Sequence, residues 1–453
     1  MTPRRRWLTA LVAVAGLVGL PAAAAPAEPA TRQPAAAAAT ATVPVTRTDG
    51  VEGRMETYAS QVSGAHVWDL EVIGTRIYAA GIFTDVVDAG GSWPRIDQPF
   101  LAAFDTRTGE WVQSFRPRLN RPAYALELLP SGSLAVGGEF TRANGRAAEG
   151  IVAVDPTTGA TDRRFRAGVR RPGSRHPAVI RDFDRRGARL YAVGNFSRAF
   201  GGGVAPGVAQ KAVRFATGTG RPDRSWKPRI AGASAYTVAV STDGRRVHLG
   251  GGFRSVNGGR GTSQLATVSV RSGGLIRGWQ HGSNAPNWPT WPVGGVVFDL
   301  DVYRNSLYLA GAEHYWERRD SRTGRSIRFE RISNDGQTVE VVGDRVLVGC
   351  HCFHRDPDRQ VWELDAATGR PLPGRTGALR SGDGAWATAV AADGCHWYGG
   401  DFNVATRVVG LGTGEFWVGR LARLCPSGAG AGSASAPSTD GPANLPGWRP
   451  TDG

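Results

Sequence analysis

The sequence is poor in lysine, methionine and cysteine, and it lacks the short motifs of the common enzyme classes. Only Lys211 and Lys227 are lysines, and the 453 residues include two methionines and four cysteines. No nucleophile elbow, His-Glu-x-x-His pair or glycine-rich phosphate loop occurs. We therefore assign no catalytic residue and predict neither a cofactor nor a metal.

A run of about twenty apolar residues is also missing after position 20, so we predict no transmembrane segment in the mature protein. The N-terminus has the parts of an export signal: arginines at 4–6, an apolar stretch over 7–20 and small residues at 23–25. We predict a signal peptide over 1–25 and a protein that is secreted or associated with the cell wall. The arginines fit both the Sec and the twin-arginine route.

Acidic residues are fewer than basic ones. The formal net charge is +15, or 15 − 3 = +12 without Arg4, Arg5 and Arg6. This surplus fits binding of an anionic wall polymer, and it fits ordinary surface solvation, because the arginines are scattered and form no long basic run. Nucleic acid is not an expected partner of an exported chain without a recognisable binding module.

Two segments lack the apolar residues that a core requires. Residues 26–50 are rich in Ala, Pro and Thr, and residues 427–453 are rich in Gly, Ser, Ala and Pro. Both compositions are typical of disordered or linker segments. We predict that residues 51–426 form the folded domain.

What the chain does contain is an internal repeat. The stretch Leu134–Gly145, Leu-Ala-Val-Gly-Gly-Glu-Phe-Thr-Arg-Ala-Asn-Gly, has close copies elsewhere, and the phenylalanines of the first four copies lie 57, 56 and 57 residues apart. Such a period indicates a repeat architecture. The other copies begin at Tyr78, Tyr191, His248 and Tyr398.

Each unit has four parts, which we interpret as four antiparallel strands. An alternating strand such as Ala123–Leu128 precedes the Gly-x-Phe motif, and a third strand then ends in Asp-x-x-Thr-Gly before a fourth segment. Asp and Gly at this spacing suit a tight hairpin, so we interpret the aspartates as scaffold and not as paired catalytic carboxylates. They are Asp105, Asp155, Asp320 and Asp365.

Seven such units without a helical stretch predict an all-β fold, a seven-bladed β-propeller with four antiparallel strands per blade. Units five to seven are less regular and begin near Val297, Gln337 and Ala385. The seventh stops after its third strand, and an unpaired sheet edge would leave a weak seam. We predict that residues 53–58 supply the missing strand and close the ring.

The combination of Gly-Gly-x-Phe-Thr-x-x-x-Gly, Asp-x-x-Thr-Gly and a following x-x-Phe-x-Pro resembles the bacterial delta-60 repeat β-propeller proteins. The resemblance covers residues 65–425, is specific in units one to four and is weaker in units five and six. It implies a propeller fold in a secreted or surface protein, and it transfers no catalytic residue to this chain.

The predicted connections at one end of the sheets are short, whereas those at the other end are long, such as 85–99, 197–210, 281–295 and 403–415. Long loops on a rigid scaffold commonly carry binding and catalytic residues. We therefore place any site on this long-loop face, near the central channel.

One candidate ligand-binding feature of the long-loop face is an insertion rich in Asn, Pro and Trp. Its Trp288 and Trp291 either stack on a sugar or a peptide, or pack beneath their own loop. Both interpretations are open.

A second candidate lies where units five and six depart from the repeat. His314, Asp335, Gln337 and His351 either form a polar ligand pocket or mark a degenerate blade. Repeat proteins break their pattern at functional sites, so these four residues are candidate ligand-binding residues.

The cysteines predict one disulfide. Cys395 begins the second strand of unit seven and Cys425 ends the third, so antiparallel pairing brings them side by side. Cys350 and Cys352 flank His351 and either form a bridge or stay free. Their spacing matches no standard zinc site.

Three functions are compatible with these observations. We favour an exported monomer that binds a glycan, a peptide or a cell-wall component through its long-loop face. The alternative is an extracellular hydrolase, lyase or oxidoreductase at units five and six, with acid–base groups from His314, Asp335, His351 and Asp401. A structural spacer or surface-layer module is the third.

Overall fold

The computed structural model describes residues 45–46, 48, 50–52, 64–88, 95–284, 295–352, 360–372, 378–380, 382, 384–402, 404–406 and 415–425. Within these ranges the chain forms strands, turns and irregular segments, and no helix. The prediction of an all-β protein is therefore confirmed for this part of the chain. The predicted signal peptide, most of the predicted linker and the predicted tail lie outside it.

The strands are numbered β1 to β34 in chain order. The first half comprises β1 Val45–Thr46, β2 Gly50–Glu52, β3 His66–Ile73, β4 Arg76–Ile82, β5 Asp85–Val87, β6 Ile96–Asp97, β7 Leu101–Asp105, β8 Ala123–Leu128, β9 Leu134–Gly138, β10 Arg142–Ala143, β11 Arg146–Ala147, β12 Ile151–Val154, β13 Ala167–Arg170, β14 Val179–Arg186, β15 Arg189–Asn195, β16 Arg198–Gly201 and β17 Val204–Val208. The second half comprises β18 Ala212–Ala216, β19 Ile230–Val240, β20 Arg246–Val256, β21 Leu265–Ser269, β22 Val297–Tyr303, β23 Ser306–Gly311, β24 Tyr315–Asp320, β25 Ser326–Arg331, β26 Gly336–Val342, β27 Arg345–Cys350, β28 Val361–Asp365, β29 Ala378–Arg380, β30 Ala385–Val390, β31 His396–Gly400, β32 Val404–Thr406, β33 Glu415–Trp417 and β34 Leu421–Leu424.

Seven sheets of the described chain correspond to the seven sequence units, and we call them sheets 1 to 7. In each of them the first strand pairs with the second and the second with the third, and each sheet is open. Sheets 1 to 7 are β3-β4-β7, β8-β9-β12, β14-β15-β18, β19-β20-β21, β22-β23-β24-β25, β26-β27-β28 and β30-β31-β34-β1.

The first strands of the sheets lie side by side. Each of β3, β8, β14, β19, β22, β26 and β30 contacts the first strand of the next sheet, and β30 of sheet 7 also contacts β3 of sheet 1. Side chains of neighbouring sheets form shared apolar clusters, for example between sheets 1 and 2. The core therefore lies in the seams between sheets.

The fourth segment of most units is not a strand, in contrast to the prediction. Sheet 5 continues into β25, but in sheets 1, 2, 3, 4 and 6 the segment makes a single bridge to the third strand. A turn follows and carries an aromatic residue into the next seam, where Phe115 packs edge-on against Tyr78 with ring centroids 5.0 Å apart. The segment leaves the ladder because its aromatic residue is a wedge between two sheets.

The Asp-x-x-Thr-Gly segments form the predicted hairpins. Asp155 Oδ1 accepts hydrogen bonds from the backbone N–H groups of Thr157 and Thr158 at 2.8 and 2.9 Å. Gly159 closes the turn at φ 79°, a conformation that favours glycine. The aspartates of these turns are therefore scaffold, as expected.

A β-bulge interrupts the first strand of every one of the seven sheets. In sheet 1 the extra residue is Trp68. Strict alternation would bury every second residue, but the bulge spaces the buried core residues by three and then by two, as in Val67, Leu70 and Val72. The equivalent extra residues of sheets 2 to 7 are Tyr124, Arg181, Tyr236, Phe298, Gln337 and Trp386.

Carboxylates cross the seams beside these bulges. A first strand is the edge of its sheet, so half of its N–H groups lack a ladder partner. Asp182 of sheet 3 accepts the N–H of Phe183 at 2.7 Å with one oxygen and the N–H of Val238 in sheet 4 at 2.8 Å with the other. Equivalent bonds run from Leu126 to Asp69 at 2.7 Å and from Val339 to Asp299 at 3.0 Å.

An N-terminal strand completes sheet 7, but it is not the predicted segment. β1 pairs with β34, with Val45 opposite Leu424 and Thr46 opposite Arg423. The predicted segment 53–58 lies outside the described residues, and β1 lies inside the range that we assigned to the linker. Thr48 follows and donates to the carbonyl of Gly109 in sheet 1 at 3.0 Å.

Both cysteine pairs are disulfide-bonded. Cys395–Cys425 joins the start of β31 to the end of β34, which confirms the predicted pairing. Cys350–Cys352 is the bridge that the sequence left open. It flanks His351 directly after β27.

The long loops contain small sheets that the sequence analysis did not predict. Three of them pair a segment that lies between two main sheets with the loop that joins a second and a third strand. These three sheets are β2-β5-β6, β13-β16-β17 and β29-β32-β33. The fourth is the hairpin β10-β11. These strands have two to five residues, too few for a visible pattern. They make the long-loop face a second, ordered layer.

We predict that Asp182→Asn lowers the free energy of unfolding by about 1–3 kcal/mol, because the amide NH₂ cannot accept an N–H and one buried donor loses its partner. Urea unfolding measures the change. Asp344→Asn is the matched control, since the Asp344 side chain is 86 % exposed. Equal stability of the two variants would contradict the proposed tie between sheets 3 and 4.

We predict that replacing Cys395 and Cys425 by serine lowers the free energy of unfolding by on the order of 3 kcal/mol, because the bridge closes a loop with a sequence separation of 30. Replacing Cys350 and Cys352 costs less, because their separation is 2. Urea unfolding of the two double variants compares them. The reverse order would contradict this account.

We predict that acid weakens the hairpins. Hydrogen bonds from Thr158 and Thr157 lower the pKa of Asp155, and those from Thr368 lower the pKa of Asp365. Their stabilisation is present above the ordinary Asp pKa of about 4 and is lost as the pH falls below it. We expect the midpoint temperature of thermal unfolding to fall by on the order of a few degrees between pH 6 and pH 2. In a variant with Asn at both positions, the midpoint should depend less on pH.

Candidate functional site

Six of the seven extra residues of the bulges contact one another, and we call all seven the bulge cluster. They lie near the starts of the first strands, at the end of each sheet from which the long loops emerge. Five of them are aromatic, and the other two are Arg181 and Gln337. The bulge therefore re-aims one side chain per sheet toward a shared position.

Contacts inside the bulge cluster form a closed circuit. The ring of Trp68 lies 4.6 Å from that of Trp386 and 6.0 Å from that of Tyr124, centroid to centroid. The guanidinium carbon of Arg181 lies 4.8 Å from the ring of Tyr124. The remaining contacts are Arg181 to Tyr236 at 5.2 Å, Tyr236 to Phe298 at 6.0 Å and Phe298 to Trp386 at 5.3 Å.

Four of the five aromatic residues of the cluster keep part of their surface accessible, and the fifth, Tyr124, is buried. Trp68, Tyr236, Phe298 and Trp386 are half-buried, in contrast to the fully buried aromatic residues of the seams. The indole N–H groups of Trp68 and Trp386 have no hydrogen-bond partner among the described residues. Aromatic faces with a polar tip are suited to stacking on a ligand that is apolar on one side and polar at its rim.

A buried histidine supports this platform. His66 stacks on Trp68 with ring centroids 4.0 Å apart and an interplanar angle of 22°. Burial lowers the pKa of His66 well below its ordinary value, and Arg420 adds to the effect. The imidazole is therefore neutral at physiological pH, and it fixes the position of the Trp68 ring.

The residue before each bulge pairs with a glycine, or in sheet 6 with a cysteine, of the second strand. The next residue of that second strand belongs to a second layer around the cluster. Ile82 packs against Tyr124, and a Cβ at Gly252 would lie 3.9 Å from Tyr236 Cε2. We call these seven positions the collar, and they vary from apolar to charged although the neighbouring glycine and phenylalanine recur. The collar residues are Ile82, Glu139, Asn195, Gly252, Ala312, His351 and Asp401.

Glu139 is the most unusual residue of the collar. It is 1 % exposed, and neither of its carboxyl oxygens has a hydrogen-bond partner among the described residues. Burial raises the pKa of Glu139, and the nearby guanidinium groups of Arg121 and Arg181 act in the opposite direction. A buried carboxyl group without hydrogen bonds is costly for the folded chain.

The predicted polar residues of units five and six meet at Asp335. Its carboxylate accepts the N–H of Glu313 at 3.0 Å and lies 3.9 Å from His314 Nε2, which is too long for a direct hydrogen bond. Its carbonyl accepts the N–H of His351 at 2.9 Å. Gln337 belongs to the bulge cluster itself.

The turn that carries His314 has acid–base character. Glu313 is buried, and burial together with Asp335 raises its pKa, which His314 partly offsets. Glu313 and His314 both adopt positive φ, at 80° and 65°. Such strained turns are enriched at functional sites, and this corner brings two carboxyl groups and an imidazole together.

Trp288 and Trp291 lie outside the described residues, so their predicted role in stacking remains a prediction. The last described residues before them are well anchored. Ser283 Oγ lies 2.8 Å from Tyr315 Oη, and Asn284 Nδ2 donates to Glu317 at 2.7 Å.

A cleft of about 350 Å³ opens beside the collar, between the rims of sheets 2 and 3. Phe140, Arg171, His176 and Ala178 are among its lining residues. A larger cavity of about 460 Å³ lies farther out, beside Asp223 and Arg224.

The charged groups of the larger cavity already serve the fold. Asp223 accepts from Arg214 at 2.6 Å, and Arg224 donates to the carbonyl of Ala205 at 2.6 Å. We favour the smaller cleft, because its lining residue Phe140 directly follows Glu139 of the collar.

Sequence reasoning missed the aromatic residues of the cluster and Glu139. Trp68, Tyr124 and Tyr236 occupy the same position of units one, two and four, and that recurrence was the available signal. They were interpreted as ordinary strand residues because a bulge cannot be seen in an alternating pattern. Glu139 was part of the most regular copy of the motif, so nothing set it apart.

Two findings concern membranes and metals. No helix in the described ranges could cross a membrane. The same ranges contain no group of three or more His, Cys, Asp or Glu residues with the geometry of a metal site.

Comparisons with known proteins found distant similarity to solved structures and no family. No family model and no curated protein matches the chain. The computationally designed Ika8 protein is similar at 11 % identity and a TM-score of 0.46, over 81 % of this chain and 98 % of that one. The WD40 β-propeller domain of Doa1 is similar at 10 % identity and a TM-score of 0.48, over 83 % and 96 %. At this distance neither structure adds to the strand contacts described above.

Proposed function

We propose that the chain is an exported, monomeric, seven-bladed β-propeller that acts as a binding module, and that its ligand binds over the bulge cluster and the collar. The ligand classes that suit this surface are a glycan, a peptide or a cell-wall component. Two disulfides and the lack of a membrane-crossing helix in the described ranges fit an extracellular protein.

Support for a closed ring comes from the seam between sheets 7 and 1. The first strand of sheet 7 contacts the first strand of sheet 1, and Trp386 of sheet 7 contacts Trp68 of sheet 1. β1 occupies the outer position of sheet 7, so the sheet edge is covered by the N-terminal segment.

The convergence of six equivalent side chains on one position carries the proposed binding function. A scaffold needs no aromatic cluster with accessible faces at that place, because its core lies in the seams. Ligand sites are concave and mostly apolar, with a few polar groups that fix orientation. The bulge cluster supplies the aromatic surface, and the collar supplies the polar groups.

We predict saturable binding by the purified full chain to at least one probe from a glycan array, a peptide array or insoluble peptidoglycan. Trp386→Ala and Trp68→Ala should each weaken it about tenfold or more, as for a central aromatic contact. Isothermal titration with the bound probe measures the loss. Trp111→Ala is the matched control, because Trp111 is a half-buried tryptophan of the outer segment of sheet 1.

Binding that survives both cluster variants, or that fails equally in the control, would contradict the proposed site. Turnover of the bound probe favours a second candidate function, an extracellular enzyme. The corner of Glu313, His314 and Asp335 is the observation that supports it, because it combines acid and base groups.

A further inference from the structure

Glu139 is a residue of the long-loop face that the fold does not use. Its carboxyl group is buried without a hydrogen bond among the described residues, which destabilises the folded chain. Other collar positions hold Ile82, Gly252 and Ala312, so a sheet of this repeat forms without a carboxylate there. The cost of Glu139 therefore requires a function outside the scaffold.

The position of Glu139 associates it with the bulge cluster. Residues 135, 137 and 139 share the side of sheet 2 that faces sheet 3, since a Cβ at Gly137 would meet Ile180 Cγ2 at 2.4 Å. Arg181, which follows Ile180 in the chain, belongs to the bulge cluster. It lies close enough to Glu139 to affect the pKa of that carboxyl group. Acceptor and donor groups thus lie beside the aromatic rings of Tyr124 and Tyr236.

We propose that Glu139 and Arg181 bind the hydroxyl groups of a neutral carbohydrate whose apolar face stacks on the aromatic residues of the bulge cluster. This inference rests on the proposed function and names its ligand class. A hydroxyl group both donates and accepts, so adjacent hydroxyls of one sugar satisfy a carboxylate and a guanidinium together. The bond to the guanidinium group is charge-assisted.

Other ligand classes fit this arrangement less well. An anionic polymer would bring its charge against the buried carboxyl group of Glu139, and a purely apolar ligand would leave that group without a partner. The cleft of about 350 Å³ that begins at Phe140 gives further sugars of an oligosaccharide room along the seam between sheets 2 and 3.

The test is isothermal titration of the full chain with cellohexaose, chitohexaose and maltohexaose, and with polygalacturonate and a proline-rich peptide for comparison. We expect one of the neutral oligosaccharides to bind. Glu139→Gln should weaken that binding about tenfold, as for the loss of a hydrogen bond to a charged group. Glu110→Gln is the matched control and should leave binding unchanged, because Glu110 is exposed beside the hairpin of sheet 1, where it accepts from Thr108 at 3.3 Å.

The midpoint of urea unfolding separates a binding role of Glu139 from a structural one. We expect Glu139→Gln to be at least as stable as the natural chain, because it removes a buried carboxyl group. Loss of binding together with a lowered midpoint would overturn the binding role.

Three further outcomes are decisive. Oligosaccharide binding that depends on Trp386 but is unchanged in Glu139→Gln and Glu139→Ala overturns the role of Glu139 alone. Binding of only the polygalacturonate or the peptide, dependent on Trp386, overturns the carbohydrate class and leaves the proposed function standing. The absence of any binding that depends on Trp386 overturns both.

Discussion

The exposed edges of the seven first strands are the constraint on which the rest of the structure depends. Each of these strands has a ladder partner on one side only, and its remaining N–H groups face the neighbouring first strand. Aspartates of sheets 1, 3 and 5 accept those groups across the seam at 2.7 to 3.0 Å. The carboxylates thus fix the distance and the register between sheets, which apolar packing alone leaves adjustable.

Two other seams use different chemistry for the same purpose. Between sheets 2 and 3, Arg185 donates to Glu127 at 3.2 Å. Between sheets 4 and 5, Leu300 donates to Thr237 Oγ1 at 3.1 Å. Four of these five ties lie within two residues of a bulge residue, so the side chains of the bulge cluster are held by a rigid frame. A binding surface on such a frame loses little entropy when a ligand arrives.

The features that repeat along the chain could be predicted from the sequence. Features that depend on a single residue could not. The Gly-x-Phe period, the Asp-x-x-Thr-Gly hairpins and the Cys395–Cys425 bridge followed from spacing and turn chemistry. The fourth segments did not, because a wedge such as Phe115 obeys seam packing and not strand pairing. The strand β1 did not either, since two residues in a low-complexity range carry no pattern.

The same distinction applies to the residues of the candidate site. Gln337 and His351 were selected because they broke the repeat, and they lie in the cluster and the collar. Trp68 and Trp386 kept the repeat and were overlooked, since alternation gives no sign of an inserted residue. His314 and Asp335 were selected as a pocket, and the structure brings them to one corner through Glu313.

The bulge has a consequence for how such a chain can change over time. An inserted residue has no opposite partner in the ladder, and in the bulge cluster its side chain meets chiefly its counterparts from the other sheets. None of these residues is an aspartate of a seam or of a hairpin, so substitution there removes none of the aspartate hydrogen bonds. Substitutions at these seven positions can therefore change the binding specificity during evolution while the fold is retained.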